Sequence, residues 1–122
     1  MKVLLIDDNP EITELFQTTL SSNGHVCQVA NDGREGLEQI KKSKSDIVLL
    51  DLAIPDFSGE DLLNELLKEG PINGYNIYIF TASAVSDKEE NDFIKMGIVG
   101  CLRKPVRLND LLETLEKHKA PN

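Results

Sequence analysis

The sequence predicts an α/β protein in which a five-stranded parallel sheet is doubly wound, with helices on both of its faces. Short apolar runs alternate along the chain with longer segments whose apolar residues recur at helical spacing. The runs are apolar on consecutive residues, which is typical of strands buried on both faces. Two of them, residues 3–8 and 46–51, end in aspartates. Because ligand sites in parallel sheets lie outside the carboxyl ends of the strands, these aspartates mark the expected site.

The first strand and helix are bounded by clear signals. The strand is predicted at residues 2–7. Asn9 then provides an N-cap, Pro10 suits the first position of a helix, and Asn23-Gly24 ends that helix. Residues 26–30 form the second predicted strand.

The middle of the chain repeats this order. A turn at residues 31–33 leads into a second helix, and the third strand is predicted at residues 46–51. Ser58 begins a third helix that carries four leucines, and Gly70-Pro71 ends it because proline cannot continue a helix. Each strand is thus followed by a crossover helix, as a parallel sheet requires.

The last two strands are predicted at residues 76–81 and 99–103. A polar, weakly amphipathic helix at residues 86–96 lies between them and ends at Gly97. The final helix has leucines at helical spacing from Leu108 onwards.

The strand order predicted for this sheet is 2-1-3-4-5, the common order of five-stranded doubly wound sheets with right-handed crossovers. It makes the first and third strands neighbours, so Asp7, Asp8 and Asp51 are expected in one crevice. Carboxylates this close raise one another's pKa or bind a cation, and an all-oxygen cluster suits Mg²⁺. The same order puts Cys27 and Cys101 on opposite edges, roughly 19 Å apart, so both are expected as free thiols.

Length and charge limit the possible classes of protein. The 122 residues suit one domain, which we place at residues 1–119 with a short tail at 120–122. The formal net charge of −8 argues against a nucleic-acid partner. No run reaches the about 20 apolar residues of a membrane span and no signal peptide is recognisable, so we expect a cytoplasmic monomer without membrane contact. His25 and His118 are expected to be ordinary surface residues.

Four of the predicted strands end in polar groups that together can handle phosphate. Asp51 can act as a carboxylate nucleophile that forms an acyl phosphate. Phosphoryl transfer depends on positioning and charge neutralisation, so the site also needs a cation, which Asp7 and Asp8 can hold. Lys104, after the fifth strand, offers a fixed positive charge, and Thr81, at the end of the fourth, offers a hydroxyl donor.

Four segments in register resemble the receiver domain of bacterial-type response regulators, which has the CheY-like, flavodoxin-like fold. The segments are LLIDDN, DIVLLDLAIPDFSG, IFTAS and LRKP, and the resemblance covers essentially the whole chain. It implies that Asp51 is the phosphoacceptor and that Thr81 and Lys104 contact the phosphoryl group. It also implies a cis bond between Lys104 and Pro105.

The resemblance further implies a metal site and a signalling role. Mg²⁺ would be held by Asp7 or Asp8, by Asp51 and by the backbone carbonyl of Ala53. The protein would be a phosphorylated switch of a two-component system and not an enzyme, except that it assists its own phosphorylation and dephosphorylation. A histidine kinase or a histidine phosphotransfer protein would donate the phosphoryl group. Phosphorylation would remodel the face formed by the fourth helix, fifth strand and fifth helix, where a downstream target protein binds.

Some positions bear on how such a switch behaves. Cys101 stands where the family usually has an aromatic residue, so coupling between Thr81 and the output face is expected to differ or weaken. In the family that the chain resembles, the sites held here by Ala53 and Ser83 tune the lifetime of the phosphoryl group. Because Ala53 has no polar side chain to orient a water molecule, we expect a lifetime that is not short. Arg107 replaces the acidic cap often seen before the last helix.

Other functions share parts of this residue pattern. A phosphorelay intermediate or phosphate sink would use the same chemistry. A degenerate receiver would be only a protein-binding module, which the intact set of acids, threonine and lysine disfavours. A Mg²⁺-dependent phosphohydrolase of the haloacid dehalogenase type is disfavoured because Ala53 stands where its acid/base aspartate would be. A flavodoxin-like electron carrier needs a phosphate-cradling loop, whereas Asp8-Asn9-Pro10 repels phosphate in the absence of a metal.

Overall fold

The structure, a computed structural model, describes residues 1–82 and 84–118 and all of their side chains except that of Leu108. Ser83, to which the family resemblance gives a role in phosphoryl lifetime, lies outside the described residues. So do Lys119 and the expected tail at residues 120–122. The limits of the domain therefore stay a prediction.

The described residues form five strands that alternate with five α-helices, as the sequence predicts. The strands are β1 (Lys2–Ile6), β2 (Val26–Ala30), β3 (Ile47–Leu50), β4 (Ile77–Thr81) and β5 (Gly100–Arg103). The helices are α1 (Pro10–Ser22), α2 (Gly33–Lys42), α3 (Gly59–Glu69), α4 (Asp87–Met96) and α5 (Leu108–Glu116). A 3₁₀-helix at Asn73–Tyr75, which was not predicted, precedes β4. Within the described part of the chain, no helix has the length and apolar character needed to cross a membrane.

Two helices start at the residues that the sequence predicts, and a third start, at Ser86, has the same chemistry. Asn9 caps α1, and its side chain accepts hydrogen bonds from two backbone N–H groups of the first turn. Ser58 and Ser86 begin α3 and α4, each in a capping box that satisfies two backbone N–H groups. These caps fix where the loops of the sheet edge stop and the helices begin.

The sheet has the predicted order β2-β1-β3-β4-β5, and all neighbouring strands are parallel. Ile6 of β1 is in register with Leu50 of β3. The residues that follow them, Asp7 and Asp51, therefore lie beside each other just beyond the strands. Because every strand runs in the same direction, the other carboxyl ends meet at this same edge of the sheet.

Two apolar cores lie on opposite faces of the sheet. One packs α2, α3 and α4 against the sheet and includes Ile6, Leu50 and Phe93. The other packs α1 and α5 against it and includes Leu5 and Leu115. Adjacent residues of β1 thus enter different cores, as expected of a strand buried on both faces.

The two cysteines lie on the two edge strands, β2 and β5, and both are free thiols, which confirms the prediction. The histidines differ from the prediction, since both are half-buried. The Nδ1 atom of His25 lies 3.3 Å from the amino group of Met1. His118 contacts the phenol of Tyr78, with Nε2 2.8 Å from the hydroxyl oxygen and the rings edge to face at 5.4 Å. The contact between Tyr78 and His118 was not predicted, because the two residues lie 40 positions apart in the sequence. It joins β4 to the end of α5.

Candidate functional site

Three carboxylates meet at the carboxyl ends of β1 and β3, as the sequence predicts. Asp7 and Asp8 follow β1, and Asp51 follows β3. One carboxylate oxygen from each lies within 4.8 Å of the others. Asp7 is fully buried and Asp51 is 5% exposed, whereas Asp8 is open to solvent. Two desolvated negative charges at this distance need nearby positive charge or hydrogen-bond donors.

Backbone N–H groups orient the two buried carboxylates. The Oδ1 atom of Asp7 accepts a hydrogen bond from the backbone N–H of Asn9 at 2.9 Å. The Oδ1 atom of Asp51 accepts one from the backbone N–H of Ala53 at 3.2 Å. In each case the donor lies two residues further along, so the loop itself holds the carboxylate. The second oxygen of each carboxylate faces another partner, which the two carboxylates share.

That partner is Lys104, which follows β5. Its Nζ atom lies 2.5 Å from Oδ2 of Asp7 and 3.4 Å from Oδ2 of Asp51. The Lys104 side chain is 13% exposed, so this charge is largely removed from water. The backbone N–H of Lys104 donates to the carbonyl of Thr81, and the Lys104-Pro105 bond is cis, as the resemblance implies. One ammonium thus bridges two carboxylates from separate strands.

Thr81 ends β4 and is 2% exposed. It is in register with Arg103, the last residue of β5 and the neighbour of Lys104. A cavity of about 220 Å³ adjoins it. The cavity is lined by Thr81, Val85, Glu90, Cys101, Leu102 and Arg103. Polar groups therefore stand at or just beyond the carboxyl ends of β1, β3, β4 and β5, as predicted.

Opposing effects act on the charge of Asp51. Burial raises the pKa of the Asp51 carboxyl above its ordinary value, and the charge of Asp7 raises it further. The hydrogen bond from Ala53 and the ammonium of Lys104 act in the opposite direction, and burial prevails. Asp51 is therefore a carboxylate whose ionised form the fold tolerates at a cost, which a bound cation would relieve.

The loop between β3 and α3, residues 52–58, contains contacts that the sequence did not reveal. Ile54 and Phe57 are buried although the loop is otherwise mostly exposed. The guanidinium of Arg34 lies over the Phe57 ring, 4.5 Å from its centroid. The available signal was an aromatic residue in a segment of Pro, Asp, Ser and Gly, but sequence alone cannot say which surface receives it.

The donor set fits Mg²⁺. The three carboxylates offer hard oxygen ligands within 4.8 Å of one another, and Lys104 offsets only one of the three negative charges. A divalent cation with oxygen ligands matches the remaining charge and the chemistry of the donors. Asp7, Asp8 and Asp51 are the side chains in position to hold it, and Asp8 is accessible from solvent.

Curated proteins resemble the chain over almost its whole length. The family model described as the response regulator receiver domain matches residues 3–116. The probable C4-dicarboxylate response regulator DctR of Bacillus subtilis is 34% identical, over 97% of this chain and 52% of that protein. The sensor histidine kinase RcsC of Salmonella typhi is 34% identical, over 94% of this chain and 12% of the kinase. The chain thus spans about half of the first relative and a small part of the second.

Solved structures of receiver domains share the fold of the chain. The receiver domain of the Francisella response regulator 1452 has a TM-score of 0.82 and 29% identity, over 96% of this chain and 94% of that one. The Vibrio cholerae chemotaxis protein CheY4 has a TM-score of 0.81 and 27% identity, over 97% of this chain and 98% of that one. The BeF3-activated receiver domain of Klebsiella pneumoniae RstA has a TM-score of 0.81 and 26% identity, over 97% of both chains.

Proposed function

Because the chain belongs to the response regulator receiver domain family, we propose that Asp51 accepts a phosphoryl group and thereby switches the protein between two conformations. Receiver domains are signalling switches of two-component systems and not conventional enzymes. They interact with histidine kinases and with downstream targets.

The observation that carries the proposal is the arrangement around Asp51. Its carboxylate lies within the three-acid cluster, and its Oδ2 atom is 3.4 Å from the ammonium of Lys104. An oxygen of Asp51 attacks the phosphorus of a phosphohistidine on the partner. The new O–P bond forms as the N–P bond breaks, and the ring nitrogen keeps the electron pair. With a proton on the other ring nitrogen, the histidine leaves neutral, and Asp51 becomes an acyl phosphate.

The neighbouring residues position and neutralise the transferred group. We assign Mg²⁺ binding to Asp7, Asp8, Asp51 and the backbone carbonyl of Ala53. When bound, Mg²⁺ supplies positive charge next to the phosphoryl oxygens. Lys104 binds another phosphoryl oxygen through its ammonium, which requires its contacts with Asp7 and Asp51 to loosen. The hydroxyl of Thr81 donates a hydrogen bond to the phosphoryl group once that group is present.

The responding surface in this proposal is formed by α4, β5 and α5. Ile94 on α4 is 46% exposed and Val99, just before β5, is 39% exposed, so this face offers apolar contact area to a partner. Movement of Thr81 towards the phosphoryl group would alter the cavity that it shares with Cys101 and Val85. The change would extend to α4, because Glu90 of that helix also lines the cavity. The monomeric state and cytoplasmic location expected from the sequence stay predictions.

The test is the intact mass of the protein after incubation with acetyl phosphate and Mg²⁺. We expect one added phosphoryl group in the wild type, none after chelation of Mg²⁺ with EDTA and none in Asp51→Asn. Asp92→Asn, which changes an exposed acid on α4, is the matched control and should behave as the wild type does. An adduct that persists in Asp51→Asn would place phosphorylation elsewhere. The absence of both adduct and Mg²⁺ binding would refute the proposal.

A further inference from the structure

The β3–α3 loop is tied down at both of its ends. Near the site, the backbone N–H of Ala53 donates to Asp51. At the base of the loop, the backbone N–H of Gly59 donates to the carbonyl of Leu52 at 3.1 Å. The far side of the loop is held by Phe57, which is 9% exposed although it follows two exposed residues, Pro55 and Asp56.

Phe57 occupies a socket made by the start of α2. A Cβ atom on Gly33 would lie 2.1 Å from the carbonyl oxygen of Phe57 and 2.9 Å from its Cδ2 atom, so only glycine allows the two segments this close. On the other side, the guanidinium of Arg34 lies 4.5 Å from the ring centroid, in range for a cation–π interaction. The ring thus joins the β2–α2 turn to the β3–α3 loop.

The backbone before Phe57 makes this contact matter for the site. Asp56 has a φ of 68°, a left-handed conformation that costs energy in a residue other than glycine. The N–H of Phe57 donates to the carbonyl of Pro55 at 2.7 Å, which closes a tight turn. Because Phe57 directly follows Asp56, its seating in the socket limits how far this turn can move. Two residues before Pro55 lies Ala53, whose carbonyl is a proposed Mg²⁺ ligand.

We propose that Phe57 is a positioning residue for the metal site and that Gly33 and Arg34 form its socket. The inference rests on the proposed function, because it presumes that the three-acid cluster binds Mg²⁺. With Phe57 seated, the loop presents the backbone of Ala53 in one position before the ion arrives. With Phe57 unseated, the ion must order the loop as it binds, and its affinity falls.

The experiment measures Mg²⁺ affinity by isothermal titration calorimetry for the wild type and four variants. We expect Phe57→Ala and Gly33→Ala to bind Mg²⁺ at least fivefold more weakly. Phe57→Leu, which keeps a large apolar side chain, should bind Mg²⁺ with an affinity within about twofold of that of the wild type. Leu115→Ala is the matched control, since it removes a fully buried side chain from the opposite core without touching the loop.

A kinetic readout separates positioning from a general loss of structure. The rate of phosphorylation by acetyl phosphate is followed as the Mg²⁺ concentration is raised. In Phe57→Ala, the concentration needed for half the maximal rate should rise at least fivefold, while the rate at saturating Mg²⁺ stays close to that of the wild type. In Leu115→Ala, the Mg²⁺ requirement should not change.

Each outcome decides the question. If Phe57→Ala and Gly33→Ala bind Mg²⁺ as the wild type does, or if Leu115→Ala loses as much affinity, the inference is wrong and the proposed function stands. If the wild type itself neither binds Mg²⁺ nor accepts a phosphoryl group, both fail together. Should Phe57→Ala not fold, Arg34→Gln on the exposed side of the socket decides, with about a twofold loss of affinity expected and none if the inference is wrong.

Discussion

The two ends of the sheet are built from the same five strands but hold their polar groups in different ways. At the carboxyl end, Asp7, Asp51 and Lys104 form one buried charged network. At the amino end, polar contacts are made in separate pairs, such as the Tyr78 hydroxyl with His118. The strands of a parallel sheet are apolar, so charged side chains lie in the loops. In such sheets the site is formed by the loops at the carboxyl ends of the strands.

The two ends of the sheet differ in how strongly their polar groups depend on one another. Removing Lys104 from the carboxyl-end network leaves two desolvated carboxylates without a counter-charge, whereas removing one member of an amino-end pair leaves a single polar group. We therefore expect perturbations at the carboxyl end to be larger and to depend on pH and Mg²⁺. Those at the amino end should be small and independent of the metal.

The largest effect is expected for Lys104→Met, which keeps the apolar stem and removes the charge. In the absence of Mg²⁺, the free energy of unfolding should fall by about 3 kcal/mol, because two buried carboxylates lose their cation. Urea denaturation at pH 7 measures it, and added Mg²⁺ should restore part of the loss. Lys41→Met is the control, since it breaks an exposed pair with Glu69 and should cost about 0.5 kcal/mol or less. Equal losses in the two variants would contradict the comparison.

Asp51→Asn should raise stability at pH 7 in EDTA. Burial raises the pKa of Asp51, so the folded state holds its proton more tightly than the unfolded state does. The ionised carboxylate therefore costs stability at pH values above its ordinary pKa, and the cost disappears as pH falls and the group is protonated. We expect Tm to rise by a few degrees at pH 7, with a smaller difference near pH 4. A lower Tm in Asp51→Asn at pH 7 would mean that the pairing with Lys104 outweighs burial.

Tyr78→Phe tests the amino end. It removes the hydroxyl that contacts His118 and should cost about 1 kcal/mol of unfolding free energy. Mg²⁺ affinity and incorporation of the phosphoryl group should not change, because the hydroxyl lies at the other end of the sheet from the three acids. A shift in Mg²⁺ affinity would show that the two ends are coupled and would break the comparison.

The last prediction compares the reactivity of the two cysteines on the edge strands. It involves no change in stability. Burial raises the pKa of the Cys27 thiol to about 11, and this residue is 6% exposed. Cys101 is half-buried beside the cavity that adjoins Thr81, and its pKa is also raised by burial and by Glu90. Because Cys101 is more accessible, it should react faster with iodoacetamide at pH 8, as read by peptide mass. Faster labelling of Cys27 would contradict the burial of β2.

The sequence predicts those features of the fold that repeat locally. Asn9 and Ser58 indicate where their helices start through the chemistry of their own side chains. The meeting of the aspartates after β1 and β3 could be predicted from one assumption, the strand order. That order makes the two strands neighbours. The site was predictable to that extent because the chain direction of parallel strands brings their ends together.

The features that were missed depend on distant partners. The contact between Tyr78 and His118 joins β4 to the end of α5, and the socket of Phe57 joins two loops. Nothing in the local spacing of these residues indicates which surface will receive them. Gly33 is read from sequence only as a turn residue, while its closeness to Phe57 requires the packed structure.

The ion pairs of Lys104 have a consequence for the newly made chain. They join residues 97 and 53 positions apart, so the ammonium is synthesised long after the acids that it contacts. A chain emerging from the ribosome therefore presents Asp7, Asp8 and Asp51 before β5 exists to neutralise them. The proposed phosphoacceptor, Asp51, is therefore made well before the lysine that is proposed to contact its phosphoryl group. A truncated product that ends before β5 would carry the three acids without the ammonium that pairs with two of them.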